Sequence, residues 1–327
     1  MSRSSPSRRS LSTTPRGFTL VEILVVVAII VILMAILIPV AMGAISRARN
    51  AAIGFELSQL KTAVEEYKKE HGDYPPSMDW DPAYGATFAA QQGKWYASNA
   101  PTTYAYNSIC ERHFLRCYPK MTSAEKYKFY GAIAPRLDQD EALVFWLAMI
   151  ANDPRQPFKN FVFNNSGVLY YAGGNDTTQL NFNDYPGSNT RWVHYEFDSR
   201  RLVDNDTDGI PGYQAQFCKD TTYMYFDSRT YAFSQNPSYA ARQVAQPFTD
   251  AVAIAKNQSK FMNPTTFQIV CSGQDGNYGA VINAFSNSGF VWNNTKMFPT
   301  MINTNEEDSD NMADFTEGRK LIDHRAP

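Results

Sequence analysis

The sequence is short of the side chains that most often do chemistry. Its four histidines, His71, His113, His194 and His324, are scattered, and none stands beside a second ligand type at helical spacing. Neither H-E-x-x-H nor G-x-S-x-G occurs, so the common metalloprotease and hydrolase signatures are missing. The chain is expected not to be an enzyme, with a membrane-anchored exported enzyme as the remote alternative. Cysteine is also sparse: Cys110, Cys117, Cys218 and Cys271, with no C-x-x-C, which argues against a zinc or redox motif. Four cysteines allow three pairings, and Cys110 and Cys117 are near enough for a small loop; buried free thiols are the other outcome. Internal repeats are absent. Net charge is only −2, so no nucleic-acid partner is expected.

Acids are missing from residues 1–17, which carry Arg3, Arg8, Arg9 and Arg16. Without those four arginines, 26 basic residues face 32 acidic ones. The asymmetry predicts a cytoplasmic N-terminus by the positive-inside rule, with everything after Gly43 in an oxidising space outside. Long apolar runs are absent too, save one. Ile23 to Ile38 contains no polar residue, and the run resumes after Pro39 with Val40, Ala41 and Met42. About 20 such residues at a rise of ~1.5 Å span a hydrocarbon core of roughly 30 Å. Glu22 heads this run, and an unpaired acid in lipid costs about 2.5 kcal/mol or more. An ordinary signal peptide cut near Ala41-Met42-Gly43 is the bland alternative. The run is too long for its apolar region, Glu22 interrupts the start, and helical pattern continues past Gly43.

Gly17-Phe18-Thr19-Leu20-Val21-Glu22 followed by an apolar run resembles the processing signal of type IV pilins and pseudopilins. The resemblance covers residues 16 to 76. It implies cleavage after Gly17 by a prepilin peptidase and methylation of the new N-terminal Phe18. It assigns Glu22 to neutralising the α-amino group of Phe18 in a neighbouring subunit, since each charge is costly alone in an apolar filament. Pro39 falls where the family often carries a helix-loosening proline. Assembly residues are thus Phe18, Glu22 and Pro39.

Ile53, Leu57, Leu60, Val64 and Tyr67 recur at steps of four and three, predicting an amphipathic helix over 44–71. Glu56, Lys61, Glu65, Lys68 and Lys69 are read onto its other faces, and Gly72 with Pro75-Pro76 ends it. Residues 77–121 read as a long connection with short elements, containing Cys110 and Cys117. Helices are predicted over 123–133 and 138–151, the second capped by Asp138 with Glu141 as partner. Strand-rich runs follow at 161–163, 168–171, 193–197, 223–226 and 267–270, and a short helix at 248–256. The expected class is α+β: a long N-terminal helix on an antiparallel sheet, with a helical insertion. The expected organisation is a leader over 1–17, a membrane and polymerisation helix over 18–42, and its amphipathic continuation over 43–76. An insertion over 77–157 and a sheet with C-terminal loops over 158–327 complete it.

Two acidic stretches suggest calcium. Asp204, Asp206 and Asp208 alternate before Gly209, as in a calcium loop, but the twelfth position is Ala215. An exposed acidic turn is the alternative there. The turn Ser272-Gly273-Gln274-Asp275-Gly276 and the acids Glu306, Glu307, Asp308, Asp310 and Asp314 resemble the calcium-holding turn and cluster of the major pseudopilin of type II secretion. Carried over, Asp275, Asp308 and Asp310 are the ligands, with Asp314 in reserve. The resemblance implies an inner-membrane, single-pass protein with a periplasmic domain, built into a secretion pseudopilus. Its partners would be the prepilin peptidase, copies of itself, other pseudopilins and an inner-membrane assembly platform. A type IV pilus pilin or minor pilin in adhesion, motility or DNA uptake is the alternative.

Overall fold

A computed structural model of the chain describes residues 17–77, 109–129, 133, 137–159, 161–163, 169–171, 193–205, 209–218, 221–231, 234, 245–258, 260–282, 284–286, 289–304 and 308–324. The chain divides into two compact units, Met1–Ala48 and Arg49–Pro327. Helix α1 spans Leu20–His71. It persists through Pro39, whose missing N–H leaves the carbonyl of Ala35 without its helical donor. At its end Gly72 adopts φ +79°, and its N–H donates to the Lys68 carbonyl at 2.7 Å. This left-handed C-cap is one that only glycine enters without a Cβ penalty.

In the larger unit the predicted stripe is the buried face of α1. Ile53, Leu57, Leu60, Val64 and Tyr67 are at most 2% exposed. Glu56 departs from the sequence reading: it lies on the same inward side, buried, because Arg201 and two tyrosines neutralise and solvate it there. Gly54 allows a close approach, since a Cβ at that position would come within 2.5 Å of the Gly318 Cα.

The chain leaving α1 is clamped through backbone carbonyls. Tyr225 Oη donates to Pro75 O and Trp146 Nε1 to Pro76 O, both at 2.8 Å. Both prolines lie outside any helix or strand, so side-chain donors satisfy their buried carbonyls.

Helix α2, Ile109–Cys117, is a short element within the stretch read as a long connection. Helix α3, Ser123–Lys128, is capped by Thr122, whose Oγ1 accepts from Glu125 N. The next helix starts later than its sequence signal: α4 is Ala142–Val144 and widens into a π turn over Phe145–Met149. Asp138 does not cap it. Its Oδ1 accepts from Asp140 N at 3.3 Å, closing a local turn, and Glu141 is the cap residue. Aromatics fill the space between these helices, with Phe114 4.1 Å from Phe129 and 4.7 Å from Trp146 between ring centroids. Offset and edge contacts of this kind add roughly 0.5–1.5 kcal/mol each beyond area burial.

Strands β1 (Phe161–Phe163) and β2 (Leu169–Tyr171) pair antiparallel. Residues 193–197 are irregular instead of a strand. A short antiparallel pair follows, β3 (Leu202–Val203) with β4 (Gly212–Tyr213). The main sheet has the order β11-β7-β5 and is antiparallel throughout. Its strands are β5 (Met224–Asp227), β7 (Phe267–Cys271) and β11 (Met312–Ala313). Between β5 and β7 come β6 (Thr249–Asp250) and α5 (Ala251–Ala255), with Asp250 Oδ1 capping Val252 N and Ala253 N. Strands β8 (Phe285–Ser286) and β9 (Gly289–Phe290) pair antiparallel, whereas β10 (Met297–Phe298) pairs parallel with β6.

Every residue of β7 is buried, because the sheet is covered on both faces. Alternation sorts its side chains. Phe267, Ile269 and Cys271 enter the core shared with α1, and Val270 enters a second core with Phe226, Phe248 and Phe298. Gln268 also points to that second side, where its amide accepts from Phe248 N and donates to Phe248 O and Met262 O at 2.8–2.9 Å.

Candidate functional site

The described residues of the N-terminal unit are mostly helix, and their apolar side chains face outward. Every large apolar side chain from Phe18 to Ile45 is exposed, between 48% (Ile30) and 82% (Phe18). α1 is long and apolar enough to cross a membrane. Residues 1–16, most of the expected leader, lie outside the described residues. Gly17 and Phe18 are non-helical and exposed. Thr19 caps the helix and Glu22 answers it. Glu22 N donates to Thr19 Oγ1 at 3.2 Å, while Glu22 Oε2 accepts from Thr19 N at 2.8 Å and Thr19 Oγ1 at 2.9 Å. This reciprocal capping box satisfies two orphan donors and keeps the carboxylate at the positive end of the helix. The Thr-x-x-Glu spacing was visible in the sequence, where the charge of Glu22 drew attention away from it.

Residues 14–38 match the prokaryotic N-terminal methylation motif. The chain is type IV pilin-like, with a prepilin methylation motif. Its relatives agree: it is 42% identical over 67 residues to fimbrial protein EcpB of Eikenella corrodens, covering 20% of this chain and 42% of that protein. It is 35% identical over 65 residues to a fimbrial protein of Neisseria meningitidis serogroup B, covering 20% and 38%. The chain thus spans about two fifths of the length of these relatives. No solved structure matches it. The motif match covers residues 14–38, and each of these relatives matches a fifth of the chain.

A buried ionic lock joins α1 to the β3–β5 region. Arg201 Nη1 and Nη2 grip Glu56 Oε1 and Oε2 at 2.6 and 2.8 Å, and Tyr223 and Tyr213 donate to the same carboxylate at 2.7 and 3.1 Å. The guanidinium also stacks on the Tyr213 ring at 4.3 Å. Burial alone would lower the pKa of Arg201, but the Glu56 carboxylate overrides it and the net shift is upward.

The C-terminal acids separate into three environments. Asp310 Oδ2 accepts from Gln274 N at 2.9 Å and Asp275 N at 3.3 Å, so the predicted turn and the downstream acid do meet. Gly273, at φ +72°, makes this possible, since a Cβ there would lie 2.3 Å from the Asp310 carbonyl oxygen. Asp310 Oδ1 is buried and has no hydrogen bond among the described residues. Burial and the nearby Asp275 carboxylate raise the Asp310 pKa. An oxygen without a donor and a repelling neighbour suit a cation, and Lys320 Nζ, 4.0 Å from Asp310 Oδ2, already supplies one positive charge. Asp308 is committed elsewhere: it holds Lys296 Nζ at 2.6 Å in a pair nearly closed to solvent. Asp314 is likewise buried, accepting from Ile269 N and Asn263 Nδ2 at 3.0 Å. Of the weaker candidates, Asp204 Oδ2 accepts from Gly209 N at 3.0 Å, and Asp206 and Asp208 lie outside the described residues.

The cysteines sort clearly. Cys110 and Cys117 sit on α2, seven residues apart, hence about 10 Å along the axis, too far to bridge. Cys218 and Cys271 are buried with their sulfurs 3.1 Å apart. Oxidation is expected to join them, stabilising the fold by about 4 kcal/mol in the loop-entropy account. Peptide mapping without reductant should recover the Cys218–Cys271 linked pair; a Cys110–Cys117 link would contradict the helix.

Sequence spacing concealed one convergence. His71, His113 and His194 all surround Tyr67. Its hydroxyl shares a 2.8 Å hydrogen bond with His113 Nε2, and its ring lies 4.2 Å from His71 and 5.2 Å from His194. Burial depresses all three imidazoles, taking His71 down to about 4 with help from His194. The residues are 42 to 123 positions apart at the extremes that matter, so no short motif could announce them.

Proposed function

We propose that the mature chain is a structural subunit of a type IV-like filament. A prepilin peptidase cleaves after Gly17, Phe18 is methylated, and the helix from Phe18 to Met42 anchors the subunit in the inner membrane until it polymerises. Copies of the chain then bury this helix against one another. The observation carrying this reading is the exposed apolar helix headed by Glu22, most of which lies inside the methylation motif over residues 14–38. Burial of such surface gains roughly 25 cal/mol per Å2 in water; between membrane and filament the gain comes instead from packing and charge pairing.

Among filaments, the reading favoured is a type II secretion pseudopilus, working with other pseudopilins and an inner-membrane platform beneath a periplasmic domain. Its support is the turn at Gly273 closing on Asp310, which suits a calcium ion held by Asp275 and Asp310 with further oxygens. The fimbrial relatives support the second reading, a surface pilus subunit.

Mass analysis of the protein recovered from membranes should give N-methylphenylalanine at Phe18. A mature start at or beyond Ala44 would overturn the filament reading. Deleting the gene separates the two filaments: loss of exported proteins supports the pseudopilus, whereas loss of surface fibres with secretion intact supports the pilus. For calcium, calcium added to EDTA-stripped protein should raise the unfolding temperature of wild type but not of Asp310→Asn. An equal shift in both would remove Asp310 from any calcium site.

A further inference from the structure

Glu70 and His71 close the last turn of α1, and His194 reaches the same point from the irregular segment 193–197. One ligand atom from each of the three lies within 4.8 Å of the others. His194 Nε2 is 3.8 Å from Glu70 Oε2, and the two imidazole centroids are 5.6 Å apart. Ligands of a tetrahedral zinc ion stand about 3.3 Å apart, so modest side-chain rotation closes the set.

Two observations show that the arrangement is built. The His194 side chain is only 7% exposed, and its Nε2 has no hydrogen bond among the described residues. Its backbone is fixed, with His194 N donating to Leu147 O at 2.9 Å. His71 is held from beneath by the Tyr67 ring at 4.2 Å. A second carboxylate, Glu66, adds to the negative field of Glu70 at His194. Neutral imidazoles beside carboxylates are the donor set of a borderline cation, whereas calcium prefers oxygen alone.

We propose that Glu70, His71 and His194 bind one divalent transition-metal ion of zinc type, with water completing the tetrahedron. The ion ties the end of α1 to the segment at 193–197. Three protein ligands with one open position are also the pattern of sites that exchange their fourth ligand. The site is independent of the filament reading and stands or falls by itself.

The test uses the full chain, free of any histidine tag, purified in detergent and stripped with EDTA. Zinc alone is then titrated. One zinc per chain is expected, raising the unfolding midpoint by about 5–10 °C with free zinc near a hundred times its dissociation constant. Glu70→Gln and His194→Gln should each weaken zinc by at least the ~10–100-fold that loss of even a supporting outer ligand costs. Cobalt in place of zinc should give the intense visible bands of a tetrahedral site, absent in both variants. The Glu70 side chain is 41% exposed, so Glu70→Gln remains decisive if the His194 variant does not fold. Failure to retain zinc, or retention unchanged in Glu70→Gln, would overturn the site and leave the cluster as packing.

Discussion

Glu56→Ala is expected to destabilise the globular unit by about 3–5 kcal/mol, the range for removing one partner of a buried ion pair. That is about a fifth or more of the roughly 5–15 kcal/mol by which a typical domain is stable. The loss does not come from the attraction itself, which desolvation largely offsets. It comes from what remains: Arg201, with a side chain only 20% exposed, keeps its charge with no counterion, and Tyr213 and Tyr223 lose their common acceptor. The distinction is testable. Replacing both partners, as in Glu56→Leu with Arg201→Met, should recover most of the loss, because no charge is then stranded. Thermal unfolding followed by near-ultraviolet circular dichroism reports the change, since the tyrosines of the lock are themselves the chromophores. A Glu56→Ala variant within 1 kcal/mol of wild type would show that water reaches Arg201 and that the lock is not dry.

Glu22→Gln is expected to leave membrane insertion and the helix start intact but reduce filament assembly by about a hundredfold or more, by the cost of leaving a buried partner charge unpaired. Glutamine at this place can still complete the capping box with Thr19, so the variant removes charge and keeps geometry. Thr19→Val does the reverse, disrupting the cap while leaving the carboxylate. If Glu22 pairs with the α-amino group of Phe18 in a neighbour, the glutamine variant fails to assemble and the valine variant assembles with reduced yield. If both variants assemble like wild type, the charge-pairing role is lost. Filament yield in sheared fractions, against membrane-bound monomer in the same cells, reads both outcomes.

Much of the architecture was legible because its signals are local. The i, i+3, i+4 stripe of α1 needs only helix geometry to interpret, and Gly72 ends the helix because few other residues enter its conformation. The same holds for β5 and β7, whose β-branched and aromatic runs stand between turn residues. Local signals also misled where tertiary partners override them. Residues 193–197 alternate like a strand, yet His194 N bonds to the π turn at Leu147 and no partner strand lies beside the segment among the described residues. Glu56 scores as a surface residue by type, and only Arg201, 145 positions away, makes it a core residue. Asp308 looks like one acid in a cluster of five, but Lys296 claims it.

The sequence by itself determined the N-terminal part of this protein. Its methylation motif, its uninterrupted apolar run and the single acid at its head are contiguous, and each acts through covalent spacing and bilayer thickness alone. The tertiary structure decided the rest. It chose Cys218 and Cys271 as neighbours, brought the Gly273 turn onto Asp310, and gathered Glu70, His71 and His194 at one point. Each of these joins residues 35 to 124 positions apart, a separation across which chain entropy erases any local preference and only packing of the core sets the distance.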